Sequence, residues 1–235
     1  MPTIPMLING EPAASRDGAT FERRSPLDGA VATVAPAATL DDARAACDAA
    51  AAAHKSWSAI GPSERRALLS RAAAALEARA ADFTAAMAAE TGASAIWAGF
   101  NVHLAADMLR EAAALSTQIS GEVIPSDVPG SLAMAVRQSA GVVLGIAPWN
   151  APVILGVRAI AVPLACGNTV VLKGSELCPA THGLIVQSLQ EPVFRRASST
   201  SSPTRRPTPP PWWRPSSPTR PCGASTSLAA RAWAR

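Results

Sequence analysis

The sequence predicts an α/β fold in which N-terminal strands and helices lead into an incomplete doubly wound parallel sheet. Three observations carry this. From Thr39 to Ser116 the chain is alanine-rich, with larger apolar residues at helical spacing. From 141 to 190 strand-like and helix-like segments alternate, as in a right-handed crossover unit. Short strand-like runs bounded by Asn-Gly, Asp-Gly and Pro-Gly turns flank the helical region.

Met6–Asn9 and Phe21–Arg24 read as short strands around turns at Asn9-Gly10 and Asp17-Gly18. Asp28-Gly29 is a further turn and Val31–Val34 a further strand. Thr39 caps a helix reaching about Trp57, with Asp41 and Asp42 in the first turn, where the dipole favours acids. Gly61-Pro62 opens the next helix, with proline at a first-turn position and Glu64 close behind. Its apolar face runs Leu69, Ala73, Leu76, Ala80, Phe83, Met87, so one helix is expected up to Thr91-Gly92. A third helix spans Ser94–Ser116.

Glu122–Pro125 and Leu132–Arg137 read as strands around Pro129-Gly130. Gly141–Ile146 is a continuous apolar run of the kind a fully buried parallel strand shows. Val153–Leu164 is helical, Thr169–Leu172 a second buried strand, and Pro179–Gln190 a further helix. No internal repeat is visible. Three regions result: an N-terminal helix and strand region (1–140), the start of a Rossmann-like nucleotide-binding domain (141–191), and a tail (192–235).

An apolar content of 49% over 235 residues is enough for a sizeable core. No segment has the pattern of a secretory signal or a membrane span. The four cysteines, at 47, 166, 178 and 222, form neither a disulfide framework nor a metal-binding pair. A reducing cytoplasm is the simplest compartment. The histidines, at 54, 103 and 182, suggest neither a triad nor a metal site.

The net charge of +4 conceals an asymmetry. Residues 1–191 carry 13 basic and 17 acidic side chains, whereas 192–235 carry eight arginines and no acid. The basic character belongs to the tail, so nucleic-acid binding does not follow from the net charge.

The tail holds nine of the 21 prolines, eight serines and three of the six tryptophans, and apolar periodicity stops. One reading is a disordered basic linker. Adjacent Trp212-Trp213 and a helical pattern cut off mid-way favour another, a single-base slip after Glu191. In the displaced frame, permitted codons can spell a strand, a helix, a second strand and the string FTGSTxVG. The DNA sequence across codon 191 decides between the two.

The stretch GVVLGIAPWNAPVILGVRAIAVPLACGNTVVLKGSE, Gly141–Glu176, joins a strand, a Pro-Trp-Asn turn, a helix, a second strand and a Lys-x-x-Glu pair. Upstream stand LINGE and the SPLDG turn. In this order these motifs resemble the aldehyde dehydrogenase superfamily over residues 6–191. Within it the chain is most similar to the salicylaldehyde and vanillin dehydrogenase group. The resemblance implies NAD(P)-dependent oxidation of an aldehyde, here an aromatic one, to the carboxylic acid. In the family a cysteine thiolate attacks the aldehyde, hydride passes to the nicotinamide, and a glutamate-activated water hydrolyses the thioester.

Carried over by motif, Asn150 is the oxyanion-hole asparagine. Taken alone it also fits a turn residue capping the next helix. Lys173 and Glu176 match the pair that holds the adenosine ribose hydroxyls, at a strand end where open parallel sheets bind ligands. Taken alone they are a solvated ion pair. A carboxylate facing the 2′-hydroxyl favours NAD, while Lys173 tolerates the 2′-phosphate of NADP. Ile146, Ala147, Pro148 and Trp149 would line the nicotinamide side, although Trp149 also reads as core. Gly174 stands where the group commonly has alanine or proline, a change expected to loosen the loop. Arg158 lies in an apolar helix and needs a partner. That partner is a ring oxygen of an aromatic substrate, with Ala151 and Leu155 leaving room and Trp97 or Phe100 as a wall, or else a salt bridge within the fold.

The family's Gln-Gly-Gln-x-Cys and Glu-Leu-Gly-Gly segments are absent from these 235 residues. Cys47 and Cys166 read as packing residues. Cys178 sits beside a helix start, which could lower a thiol pKa, or is simply a helix-start residue. The expectation is an N-terminal fragment without its nucleophile, exposing apolar faces and an unpaired sheet edge, and inactive by itself. Its partner is a small-molecule aldehyde, with no metal, membrane or nucleic acid; intact family members are homo-oligomers. Two alternatives are a coenzyme A-acylating relative and a non-catalytic interaction protein using the basic tail.

Overall fold

The computed structural model of the chain describes residues 3–190 and 227–230. It opens with four short strands, β1 (Met6–Ile8), β2 (Glu11–Ala13), β3 (Thr20–Arg24) and β4 (Val31–Pro36). Four helices follow: α1 (Leu40–Ala59), α2 (Pro62–Ala78), α3 (Ala80–Thr91) and α4 (Ala95–Leu115). The hairpin β5 (Glu122–Ile124) and β6 (Ala133–Ala135) leads to β7 (Val142–Ile146), α5 (Pro152–Ala165), β8 (Thr169–Gly174) and α6 (Pro179–Leu189). A last strand, β9, covers Ser227–Ala230.

Local sequence explains most helix starts. Thr39 and Asp42 form a reciprocal capping box on α1, and the Ser94 hydroxyl accepts from the Trp97 N–H at the start of α4. Pro62 and Pro152 begin α2 and α5, where a missing N–H costs nothing. Asp42 does more than complement the helix dipole. It is buried and also accepts from the Ser15 hydroxyl, joining the loop after β2 to α1.

The helix expected from Pro62 to Thr91 is two. It breaks at Arg79, whose N–H bonds the Leu76 carbonyl in a tighter turn. No proline or glycine marks the break. Both halves keep their apolar faces buried, with Leu76, Phe83 and Met87 all fully enclosed. The bend carries the end of α3 to α6, where Glu90 meets the first turn of that helix.

The main sheet has the order β2-β1-β9-β8-β7. β7, β8 and β9 are parallel neighbours; β9 with β1, and β1 with β2, are antiparallel. β3–β4 and β5–β6 are separate antiparallel pairs. The main core is built on Leu68, Leu69, Leu109, Val157 and Ile185 among others, with smaller clusters at Ala46, Ala50 and Val171 and at Met6 and Ala38. The Trp57 indole N–H donates to the Leu164 carbonyl at 3.1 Å, tying α1 to the end of α5.

Three differences concern strands. Glu11–Ala13 forms a strand that its Pro12 conceals, in keeping with an edge position. β7 is an edge strand rather than a fully buried one: Leu144 and Ile146 are 62% and 65% exposed. Its other face is closed, because Gly145 lets Ala159 of α5 approach to where a Cβ would stand at 3.0 Å. The outer edge of β7 is unpaired among the described residues, but β8 is covered on both sides by β7 and β9. β9 departs from a structureless tail. It lies in 222–230, a stretch free of proline and arginine, so neither a missing donor nor a charge opposes pairing. The proposed frame slip itself falls on residues outside those described.

Candidate nucleotide and substrate site

The parallel pair β7–β8 brings the two motif segments to one end of the sheet. Ile146 lies opposite Lys173 in register, and the Ala147 N–H donates to the Lys173 carbonyl at 3.0 Å. The Ile146–Asn150 turn and the Lys173–Glu176 loop therefore leave the carboxyl ends of adjacent strands. That is where open α/β sheets form ligand crevices.

β8 is buried along most of its length, which fixes the position of Lys173. The Lys173 ammonium stands 3.4 Å from a Glu176 carboxylate oxygen. The two side chains are 25% and 48% exposed, so both can reach a ligand. Of the turn, Ala147 is buried while Ile146, Pro148, Trp149 and Asn150 are exposed. Trp149, at 51% exposure, is not a core residue. Asn150 is not the helix cap either. Ala151 occupies that position and no side chain caps α5.

The substrate-side residues are less unified. Trp97 and Phe100 stack on α4 with ring centroids 5.6 Å apart, and both are exposed. Ala151 and Leu155 are half-buried on α5. Arg158 is exposed, and no ion pair holds it among the described residues. Being exposed, it needs no internal partner in the apolar helix. One turn from Trp97, Asn101 is fully buried and donates to the Trp97 carbonyl, yet its Oδ1 has no partner among the described residues.

The cysteines differ from expectation. Cys47 is exposed on α1 and Cys166 half-buried, so Cys47 is not a packing residue. Cys178 is fully buried, and burial, reinforced by the Glu90 carboxylate, pushes its thiol well above the ordinary value. Desolvation outweighs any pull from the helix start, so the thiolate is suppressed. Gly174 also departs from expectation: it is buried against His182 rather than loosening the loop.

Two residues that sequence reasoning missed support the site from behind. Glu90, ninety positions away, accepts from the Ala180 N–H at 2.7 Å, the Thr181 N–H at 2.9 Å and the Thr181 hydroxyl at 2.8 Å. It also accepts from the Thr33 hydroxyl at 2.9 Å. It thus supplies the side-chain cap that α6 lacks locally. Burial raises its carboxyl above the ordinary range against the pull of those donors. The second is His182, fully buried on α6, whose Nδ1 accepts from the Ser175 N–H at 2.9 Å. The Glu90 contacts span about ninety residues, and the His182 contact joins a helix to the loop seven residues before it, a pairing that no local motif marks.

No group of three or more candidate metal ligands occurs among the described residues. No described helix is long and apolar enough to cross a membrane. A cleft of about 930 Å³ opens near His54, Arg65 and Cys166, beside the amino end of β8, opposite the motif residues.

Comparison with known proteins accords with this arrangement. Residues 13–194 match the model of the aldehyde dehydrogenase family. A vanillin dehydrogenase from Pseudomonas sp. strain HR199 is 66% identical over 188 residues, 80% of this chain and 39% of that protein. The salicylaldehyde dehydrogenase of Pseudomonas putida G7, solved with salicylaldehyde, superposes with a TM-score of 0.80 at 50% identity, covering 82% of this chain and 40% of that one. An NAD-dependent benzaldehyde dehydrogenase from Corynebacterium glutamicum superposes with a TM-score of 0.81 at 27% identity, covering 97% and 44%. The chain thus spans about two fifths of the length of the relatives it matches. Matched to the family over residues 13–194, more than half of its length, the chain belongs to the aldehyde dehydrogenase family.

Proposed function

We propose that this chain carries the oxyanion-binding and nucleotide-holding parts of an NAD(P)-dependent oxidation of an aromatic aldehyde to its acid. The observation that carries the reading is the Lys173–Glu176 pair at the carboxyl end of buried β8, in register beside the Ile146–Asn150 turn. The names of the similar proteins, acting on vanillin, salicylaldehyde and benzaldehyde, support the aromatic class.

The residues present fit a dinucleotide. Glu176 offers a half-exposed carboxylate to accept from ribose hydroxyls, and Lys173 a donor of opposite charge 3.4 Å away. The carboxylate opposes a 2′-phosphate, so NAD is preferred over NADP. When bound, the nicotinamide supplies the hydride acceptor. Ile146 and Trp149 give it an apolar flank, while buried Ala147 holds the turn to β8. The exposed Asn150 amide donates to the aldehyde oxygen as negative charge grows on it. Trp97 and Phe100 wall the aromatic ring, Ala151 and Leu155 leave it room, and Arg158 donates to a ring oxygen.

The attacking thiol is not among the described cysteines. Cys178 is buried with its thiolate suppressed, and Cys47 and Cys166 lie on α1 and at the far end of α5. We therefore assign these 235 residues no turnover by themselves. We place the protein in the cytoplasm and assign the change of composition after Glu191 to a frame slip.

Restoring one base after codon 191, and assaying the longer product with NAD and NADP, tests the reading. The expected result is oxidation of vanillin and salicylaldehyde faster than of an aliphatic aldehyde, with NAD preferred. An uninterrupted gene, or a full-length product with no NAD(P)-linked aldehyde oxidation, overturns it.

A further inference from the structure

We propose that His182 is a positioning residue that locks the two segments of the site together, its Nδ1 accepting from the Ser175 amide and the other edge of its ring packed against Gly156 of α5. The inference rests on the roles given above to Asn150 and Glu176. Ser175 immediately precedes Glu176, and Gly156 lies in α5, the helix that follows Asn150. One ring on α6 thus meets both the strand-end loop and α5.

The chemistry of the partners fixes the state of the ring. A backbone N–H can only donate, so at 2.9 Å from the Ser175 nitrogen Nδ1 must be unprotonated. The Pro152 carbonyl favours a proton on the ring. The neutral tautomer with its proton on Nε2 satisfies the Ser175 amide. Imidazolium would set an Nδ1 proton against the Ser175 proton.

The surrounding structure is shaped to admit the ring. A Cβ on Gly174 would stand 3.2 Å from both Cβ and Nδ1 of His182. A Cβ on Gly156 would stand 3.4 Å from its Cδ2 and 2.5 Å from Ile185. The titratable groups around it are few. The Cys178 sulfur lies 3.6 Å from Nδ1, its thiol held protonated by burial, with Glu90 acting on Cys178 in turn. The Lys173 ammonium also opposes a charge on the ring. On the remaining side Ile4, Met6 and Ala35 line a cavity of only about 20 Å³ and carry no titratable group. Burial and the lysine together depress the imidazole to about 4, in keeping with the neutral ring.

The test uses the 235-residue chain and needs neither cofactor binding nor turnover, so it fails or succeeds independently of the proposed function. Imidazole ¹⁵N spectra of the wild type should show His182 neutral at pH 6 with its proton on Nε2. The Nδ1–H tautomer, or titration near the ordinary histidine value, overturns the proposal without any variant. In His182→Ala, amide exchange at Ser175 should quicken about tenfold or more, the loss of one buried hydrogen bond. His182→Asn keeps an acceptor near Nδ1 and should restore protection. Gly174→Ala should lower the melting temperature in the wild type and lower it less in His182→Ala, which removes the contact with Nδ1 but keeps the one with Cβ. Unchanged Ser175 exchange in His182→Ala, no rescue by asparagine, or an equal Gly174→Ala cost in both backgrounds overturns the lock.

Discussion

Replacing Glu90 by alanine removes the group that joins three elements of the fold. Its carboxylate is fully buried and accepts four hydrogen bonds, from Thr33 of β4, and from Ala180 and twice from Thr181 at the start of α6. Losing a helix cap costs about 0.5–2 kcal/mol. Leaving a second buried backbone N–H without an acceptor costs about 1–3 kcal/mol more. The two hydroxyls can turn to other acceptors and are counted at zero. Removing the carboxylate also relieves its own desolvation, the largest influence on its pKa. The net expectation is a loss of about 3 kcal/mol, a large share of the roughly 5–15 kcal/mol typical of a domain. Urea unfolding at pH 7, followed by circular dichroism, measures it through the midpoint at constant slope. Glu90→Gln keeps one acceptor oxygen and should lose less. An alanine variant within about 0.5 kcal/mol of the wild type, the range of an ordinary surface substitution, would refute the reasoning, as would a glutamine variant less stable than the alanine one.

Three further outcomes follow from other residues. His182 is depressed to about 4 in the fold, so as pH falls below its ordinary 6.5 the unfolded chain takes up the proton first. Stability is complete above that range and declines toward pH 4; unfolding at pH 8 and pH 5 should show the wild type losing about 2 kcal/mol more than His182→Asn. In the frame-restored protein, Asn150→Ala should lower kcat about a hundredfold or more with little change in KM, measured by NADH formation. A thiol reagent at pH 8 should label exposed Cys47 within minutes and leave buried Cys178 untouched until the protein is denatured, read by peptide mass.

What the sequence makes legible is whatever neighbours in the chain decide. Thr39 and Ser94 cap their helices because capping needs only a few adjacent residues. The β7–α5–β8 unit and the Lys173–Glu176 pair are legible for the same reason: a three-residue separation puts the two charges together after a strand ends. The break at Arg79 is not legible, because the apolar spacing runs through it and the bend serves contacts with distant α6. The exposure of Leu144 and Ile146 depends on which strand lies at the edge, a property of sheet order and not of the run itself. Glu90 resembled any acid near a helix end, and His182 any scattered histidine. Each acquires its role only from a segment brought to it by folding. Asn150 shows the reverse case: the local rule offered a cap, and Ala151 occupies that position instead.

The most direct test of the account is to purify the 235-residue chain and follow NADH formation with NAD and vanillin. Glu176, Lys173 and Asn150 are present, but no described cysteine is placed to attack the carbonyl. The account predicts no oxidation, in steady state or in a first-turnover burst. Sustained vanillin oxidation by this polypeptide alone would contradict it.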